Sequence, residues 1–229
     1  MRLLLAVAAS GGDIYETKKR LGRRGGACLA GGGDVGLVPG TTANAPEAPA
    51  MAIDDPKTLV STAWLAAHLD DPDLRILDAS YYLPDAGRDG RAEYAAAHIP
   101  GARYFDINEI ADARSALPHM AAPPEKFMSR MRALGVGDGH QVVVYDGAGL
   151  FSAARVWWLF KLMGQNDIAV LDGGLPKWVA EGRALEDLPP IVRDRHMTVR
   201  RRAHLVKDVT QVAAASKLRD QEIIDARSP

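Results

Sequence analysis

The run Val142-Val143-Val144-Tyr145 carries no polar alternation. A strand exposed on one face alternates, so this run suits a strand covered on both faces. Ile168–Leu171 reads the same way, and Leu74–Ala79 reads as a further strand that also carries Arg75 and Asp78. Helical segments fall between them. Ser61 is placed to cap a helix bearing Trp64, Leu65 and Leu69 on one face. Arg91–Ala97 reads as a short helix ended before Pro100, and Arg103–Phe105 as a short strand. Pro124 and Glu125 open an amphipathic helix with Phe127, Met131 and Leu134, closed by Gly135. Ser152–Met163 reads as the main helix, stopped at Gly164, and Leu175–Ala180 as another, closed by Gly182. Buried strands alternating with helices predict an α/β fold, a mostly parallel sheet with helices on both faces.

Between the central strand and the main helix lies Asp146-Gly147-Ala148-Gly149-Leu150-Phe151-Ser152. Strand, glycine-bearing loop and helix N-terminus together make an anion cradle, because backbone N–H groups converge and the helix dipole adds positive potential. A cysteine at its mouth would be held as thiolate and could carry sulfur. This chain puts Asp146 there. A carboxylate in such a nest is stabilised and caps the following helix, a structural role. The single cysteine, Cys28, lacks strand and helix context and reads as a bystander.

Further motifs follow one order along the chain. They are Ile76-Leu77-Asp78-Ala79-Ser80-Tyr81-Tyr82-Leu83-Pro84, Gly87-Arg88-Asp89, His98-Ile99-Pro100-Gly101-Ala102, Pro118-His119-Met120, Arg155-Val156-Trp157-Trp158 and Leu171-Asp172-Gly173-Gly174. With the Asp146 loop they resemble the rhodanese superfamily. The resemblance is to the inactive N-terminal half of the two-domain thiosulfate and 3-mercaptopyruvate sulfurtransferases. It implies a rhodanese-like domain over residues 56–185, inactive in type because Asp146 stands in the loop.

The resemblance also assigns candidate site residues. His119 matches a histidine proposed to relay protons in mercaptopyruvate turnover, and a group titrating near neutral pH suits that task. Asn108 stands where relatives often carry an acid that orients this histidine; it can hydrogen-bond but brings no charge. Tyr81, Leu83 and Phe151 match pocket-wall positions, with ordinary packing as the competing reading. Asp146, Gly147, Gly149 and Arg155 make up the degenerate active-site loop, where Arg155 is expected to pair with a carboxylate or brace the loop. His98 is expected to be structural, and Trp157, Trp158 and Trp178 to be core residues.

Domain organisation follows from composition and an internal repeat. Residues 1–50 hold 10 of the 22 glycines and basic clusters at Lys18-Lys19-Arg20 and Arg23-Arg24. Residues 1–52 therefore read as a disordered leader, with Met1–Ser10 resembling a short signal peptide as a second reading and a true start at Met51 as a third. Leu59–Ala67 recurs loosely as Leu205–Ala213, and Ile76–Ser80 as Ile223–Ser228. A second, truncated copy of the domain is thus expected over residues 203–229, with the charged stretch 186–202 as linker and Arg200-Arg201-Arg202 in solvent. In the family the second copy's loop carries the persulfide-forming cysteine. That loop would fall beyond Pro229.

A net charge of −1 argues against nucleic-acid or acidic-membrane partners. One cysteine excludes an internal disulfide framework and suits a reducing, cytoplasmic setting. No apolar run reaches membrane-spanning length. The resemblance implies sulfane-sulfur transfer from 3-mercaptopyruvate or thiosulfate, through a cysteine persulfide, to a thiol or cyanide acceptor. It implies no cofactor and no metal. Pro118-His119-Met120 and Gly149–Ala153 look closer to the mercaptopyruvate branch. Lacking the family's cysteine, the chain is expected to be inactive alone. The alternatives are a non-catalytic binding or regulatory module and a non-functional gene fragment. The oligomeric state is not encoded in any feature above.

Overall fold

A computed structural model of the protein describes residues 54–218 and 221–224. The leader with Cys28, and Asp225-Ala226-Arg227 of the repeat, lie outside the described residues. The elements run β1 (Leu59–Val60), α1 (Thr62–Ala67), β2 (Leu74–Asp78), α2 (Gly90–Ala96), β3 (Ala102–Tyr104), α3 (Pro124–Ala133), β4 (Gln141–Tyr145), α4 (Ala153–Leu162), β5 (Ile168–Leu171), α5 (Gly174–Ala180) and α6 (Val209–Leu218). The five strands form one sheet in the order β1-β5-β4-β2-β3, and every neighbouring pair is parallel. The expected mostly parallel sheet is therefore present. Its centre is β4, aligned from Leu74↔Gln141 to Asp78↔Tyr145 on one side and from Val142↔Ile168 to Val144↔Val170 on the other.

The pleat explains why β4 is apolar throughout. Successive side chains point to opposite faces. Val142 and Val144 pack with Phe127, Met131, Val156, Leu159 and Phe160 of α3 and α4. Val143 and Tyr145 pack with Leu65 of α1 and Trp178 of α5. Each face thus has its own helices and its own core. Trp178 is fully buried, while Trp157 and Trp158 are half-buried at the edge of the α3–α4 core. Helix starts follow local chemistry: Ser61 Oγ accepts from Trp64 N at 3.1 Å, and Asp89 Oδ1 accepts from Arg91 N and Ala92 N at 2.9 and 3.1 Å.

Three features depart from the sequence expectation. The two-residue strand β1 was too short to show a period, and Leu69 falls past the end of α1 although it still packs on the core. The stretch expected to be a charged linker is laid against the domain along its length. Glu186 exchanges backbone hydrogen bonds with His98, at 2.8 and 2.9 Å. Asp138 N donates to His196 O at 2.8 Å, Arg200 N to Met163 O at 2.9 Å and Arg202 N to Leu162 O at 2.7 Å. Met197 is buried in the α3–α4 core. Arg200 and Arg201 stay exposed, but Arg202 is half-buried. Among the described residues no helix is long and apolar enough to cross a membrane.

Glycine permits this strap. A Cβ on Gly137 would sit 2.3 Å from His196 O, and one on Gly164 2.7 Å from Arg200 O. We predict that Gly137→Ala pushes the strap from its seat and costs about 1–3 kcal/mol, the usual range for overpacking. Urea unfolding of the two proteins measures it; an unchanged midpoint contradicts the strap's role.

Candidate functional site

The loop after β4 is organised by one side chain. Asp146 is fully buried. Its Oδ1 accepts from Ala148 N at 2.9 Å and Leu150 N at 3.2 Å. Its Oδ2 accepts from Ser152 N and Ala153 N, both at 2.8 Å. Four amides thus converge on one carboxylate, and two of them belong to the N-terminus of α4. The cradle expected from the sequence is present, and the aspartate of its own strand fills it. Charge-assisted bonds of this kind repay the desolvation of a buried carboxylate. Asp146 O also accepts from Leu175 N at 3.0 Å, at the start of α5. One residue therefore ties the central strand to both flanking helices.

Neighbouring residues fix the loop further. Gly147 N donates to Ser80 Oγ at 2.9 Å, and Ser152 Oγ donates to Ala79 O at 2.7 Å. A Cβ on Gly147 would lie 2.3 Å from Tyr82 Oη, so the loop and the segment after β2 pack at glycine distance. Gly149 and Leu150 both have positive φ, +78° and +82°. For glycine this is free; for leucine it costs roughly 1–2 kcal/mol. The Leu150 N–H bond to Asp146 helps hold it there.

Beside the loop opens a cleft of about 660 Å³. Its walls include Tyr81, His119, Phe151 and Arg155. Lys207, Asp208, Val209 and Val212, from the segment entering α6, close another side. Of the expected pocket-wall residues, Tyr81 and Phe151 line the cleft. Leu83 does not: it stands half-exposed at the start of a 3-10 turn, Pro84–Ala86. Asp146 faces inward to its amides and is no part of the cleft wall.

His119 and Asn108 are joined. His119 Nε2 lies 2.8 Å from Asn108 Oδ1, and the imidazole meets the Tyr81 ring edge-on at 5.1 Å. With the asparagine oxygen as acceptor, Nε2 carries the proton and Nδ1 is the basic nitrogen. The Asn108 position therefore still orients the ring, without the charge that would favour imidazolium. Burial first, and the Arg155 charge second, lower the His119 pKa below its ordinary value of 6.5. The imidazole is neutral at pH 7. His119 also has positive φ, +57°; among the described residues only it and Leu150 do so without being glycine. Strained non-glycine backbone concentrates at functional sites.

Arg155 holds that turn. Its Nη2 donates to the His119 backbone oxygen. The segment it holds is the His119 turn rather than the Asp146 loop expected from the sequence. Among the described residues no carboxylate lies within salt-bridge distance of its guanidinium, and burial alone lowers its pKa. A fixed, partly desolvated cation therefore lines the cleft beside a neutral histidine. Sequence reasoning did not foresee the contribution of Lys207 and Asp208, which arrives through the docked strap. His98 is buried and shares Tyr94 O through Nδ1 at 2.7 Å, a structural setting as expected. Among the described residues no group of three or more His, Cys, Asp or Glu side chains is placed to hold a metal ion.

Fold and loop together define a class: parallel α/β domains that gather amides at the end of the central strand. Residues 61–181 match the Rhodanese-like domain, more than half of the sequence, and the chain belongs to the rhodanese family. Thiosulfate/3-mercaptopyruvate sulfurtransferase 1, mitochondrial, of Arabidopsis thaliana is 49% identical over 135 residues, 59% of this chain and 36% of that protein. The 3-mercaptopyruvate sulfurtransferase of Escherichia coli (strain K12) is 39% identical over 169 residues, 73% of this chain and 60% of that protein. The crystal structure of SseA from Escherichia coli, described as showing the rhodanese fold of 3-mercaptopyruvate sulfotransferases, superposes with a TM-score of 0.70 at 38% identity. That match covers 74% of this chain and 65% of the other. The chain spans from about a third to three fifths of the length of these curated relatives.

The Arg155 charge sets a testable property of His119. Removing it in Arg155→Met is expected to raise the His119 pKa toward 6.5, because a cation disfavours a second cation nearby. An NMR titration of the imidazole measures this; a fall in pKa contradicts the arrangement.

Proposed function

We propose that this chain supplies the N-terminal half, lacking the catalytic cysteine, of a two-domain sulfurtransferase of the 3-mercaptopyruvate/thiosulfate type. The observation that carries the reading is the Asp146 carboxylate seated on four amides, where a sulfur-carrying member of the family needs a thiolate. Homologues of the chain are sulfurtransferases acting on small sulfur compounds. The repeat supports a second copy starting near residue 203. Asp208 Oδ1 accepts from Gln211 N at 2.8 Å at the start of α6, as Ser61 Oγ accepts from Trp64 N at the start of α1. Leu205-Val206 is not a strand as Leu59-Val60 is.

In this reading the cleft is one wall of an active site completed by the second half. The cysteine of that half attacks the sulfur of mercaptopyruvate; the C–S bond breaks, the carbon keeps the electron pair and takes up a proton, and the cysteine becomes a persulfide. A thiol or cyanide acceptor then removes the outer sulfur. On this wall the Arg155 cation attracts the anionic donor, and neutral His119, oriented by Asn108, moves the proton. Tyr81 and Phe151 give the donor an apolar face. The setting is a reducing compartment, where a single-cysteine chain needs no disulfide.

The chain itself is expected to form no persulfide on incubation with mercaptopyruvate or thiosulfate, read as cyanolysable sulfur. Turnover through Cys28 would overturn the reading. Asp146→Cys is expected to place a thiol on the same amides and to lower its pKa below about 8.5, the free value. The pH dependence of iodoacetamide alkylation measures it, and an ordinary or raised pKa would show that the amides do not form an anion cradle.

A further inference from the structure

At the opposite end of the sheet from the Asp146 loop, four arginines share one cavity. Arg75 comes from the start of β2 and Arg103 from β3; Arg193 and Arg195 come from the docked strap. Together with Gly135 and Ile191 they line a hollow of about 310 Å³. Gly135 lets the strap close over it, since a Cβ there would lie 3.1 Å from Arg193 O.

Among the described residues no ion pair neutralises the cluster, although Asp73 and Asp71 favour the Arg75 charge from farther away. Among the described residues no carboxylate lies within salt-bridge distance of any of the four guanidiniums. Arg75 is buried and committed: Nε donates to Gly135 O at 3.1 Å, and Nη1 to Pro72 O and Leu74 O at 2.7 and 2.6 Å. It acts as a fixed charge. Arg103 is different. Its Nη1 donates to Gly101 O at 3.0 Å, but its Nε is sealed from solvent with no acceptor. A buried cationic donor left unpaired is costly. Arg193 and Arg195 are exposed where they line the hollow. The charges feel one another: Arg75 lowers the Arg103 pKa, and Arg195 lowers that of Arg75, each after burial as the larger cause.

We propose that this cavity binds a phosphate-class oxyanion, free or carried on a small ester, through Arg103, Arg193 and Arg195 with Arg75 as the charge behind them. Guanidiniums present paired donors that match such an anion, and several converging ones are used for phosphate. The hollow is large enough for a phosphate group with a short organic substituent, which Ile191 at the rim would contact. The site is separate from the cleft at the other end of the strands, so it holds whether or not sulfur transfer is the chain's activity.

Equilibrium binding of inorganic phosphate to the full chain, at constant ionic strength set with sodium chloride, tests the proposal. Saturable binding is expected, and Arg193→Ser/Arg195→Ser should weaken it at least about tenfold, the loss of charge-assisted bonds. Both side chains are exposed, so the fold tolerates the change; Arg195→Ser alone should fall between. Arg201→Ser, an exposed arginine outside the cavity, should bind as the parent does. Glycerol 3-phosphate in a parallel arm separates the sources: tighter binding than phosphate indicates an ester, equal binding a free oxyanion. Absence of saturable binding of either probe, or equal affinity of parent and double variant, overturns the proposal.

Discussion

A carboxylate surrounded by its own backbone amides governs the upper end of this domain. Asp146 stands at the junction of the central strand with two helices, and the bonds it accepts fix the N-terminus of α4, the loop between and, through its carbonyl, the start of α5. Parallel sheets place such junctions at the carboxyl ends of their strands, where helix dipoles point toward the loop. The positive potential there must be met by something. In this chain the answer is intramolecular. The site therefore needs no ligand to be stable, and the chemistry open to it lies next door, in the cleft rather than in the loop.

That neighbouring cleft owes its character to the same economy of partners. Arg155 meets no carboxylate among the described residues, and its bond to the His119 oxygen holds a histidine in an unfavourable backbone state while keeping a cation close to the ring. A neutral imidazole and a permanent cation side by side can bind an anion and move a proton without neutralising each other. An aspartate in place of Asn108 would change this balance by stabilising imidazolium. The asparagine keeps the orientation and leaves the ring basic only at one nitrogen.

Much of the architecture was legible because the signals were local. Val142–Tyr145 and Ile168–Leu171 had no polar alternation and lie in strands, β4 starting one residue earlier at Gln141; Ser61 was a cap in sequence and is one in structure. Helix limits moved by a residue or so where fraying decides them. What escaped depended on distance along the chain. The strap looked like a linker because its charges dominate its composition, yet Met197 reaches the core and its backbone finds carbonyls at Leu162 and Met163. The Asp146 nest could be foreseen because all its donors lie within seven residues. The Leu83 position could not be separated from the true cleft wall, since Tyr81 and Leu83 differ only in which way a short loop turns. The arginine hollow was invisible, being assembled from two strands and a strap.

The strap also determines how the chain departs from its fold. Had residues 186–202 been a free tether, anything joined to them would sample a wide volume, and its encounter with the cleft would be diluted accordingly. Hydrogen bonds at Arg200 and Arg202 anchor the exit instead, and Lys207 and Asp208 arrive already at the lip of the cleft. The departure point is thus a hinge post rather than a leash: the angle at which the next segment leaves is dictated by this domain's own surface.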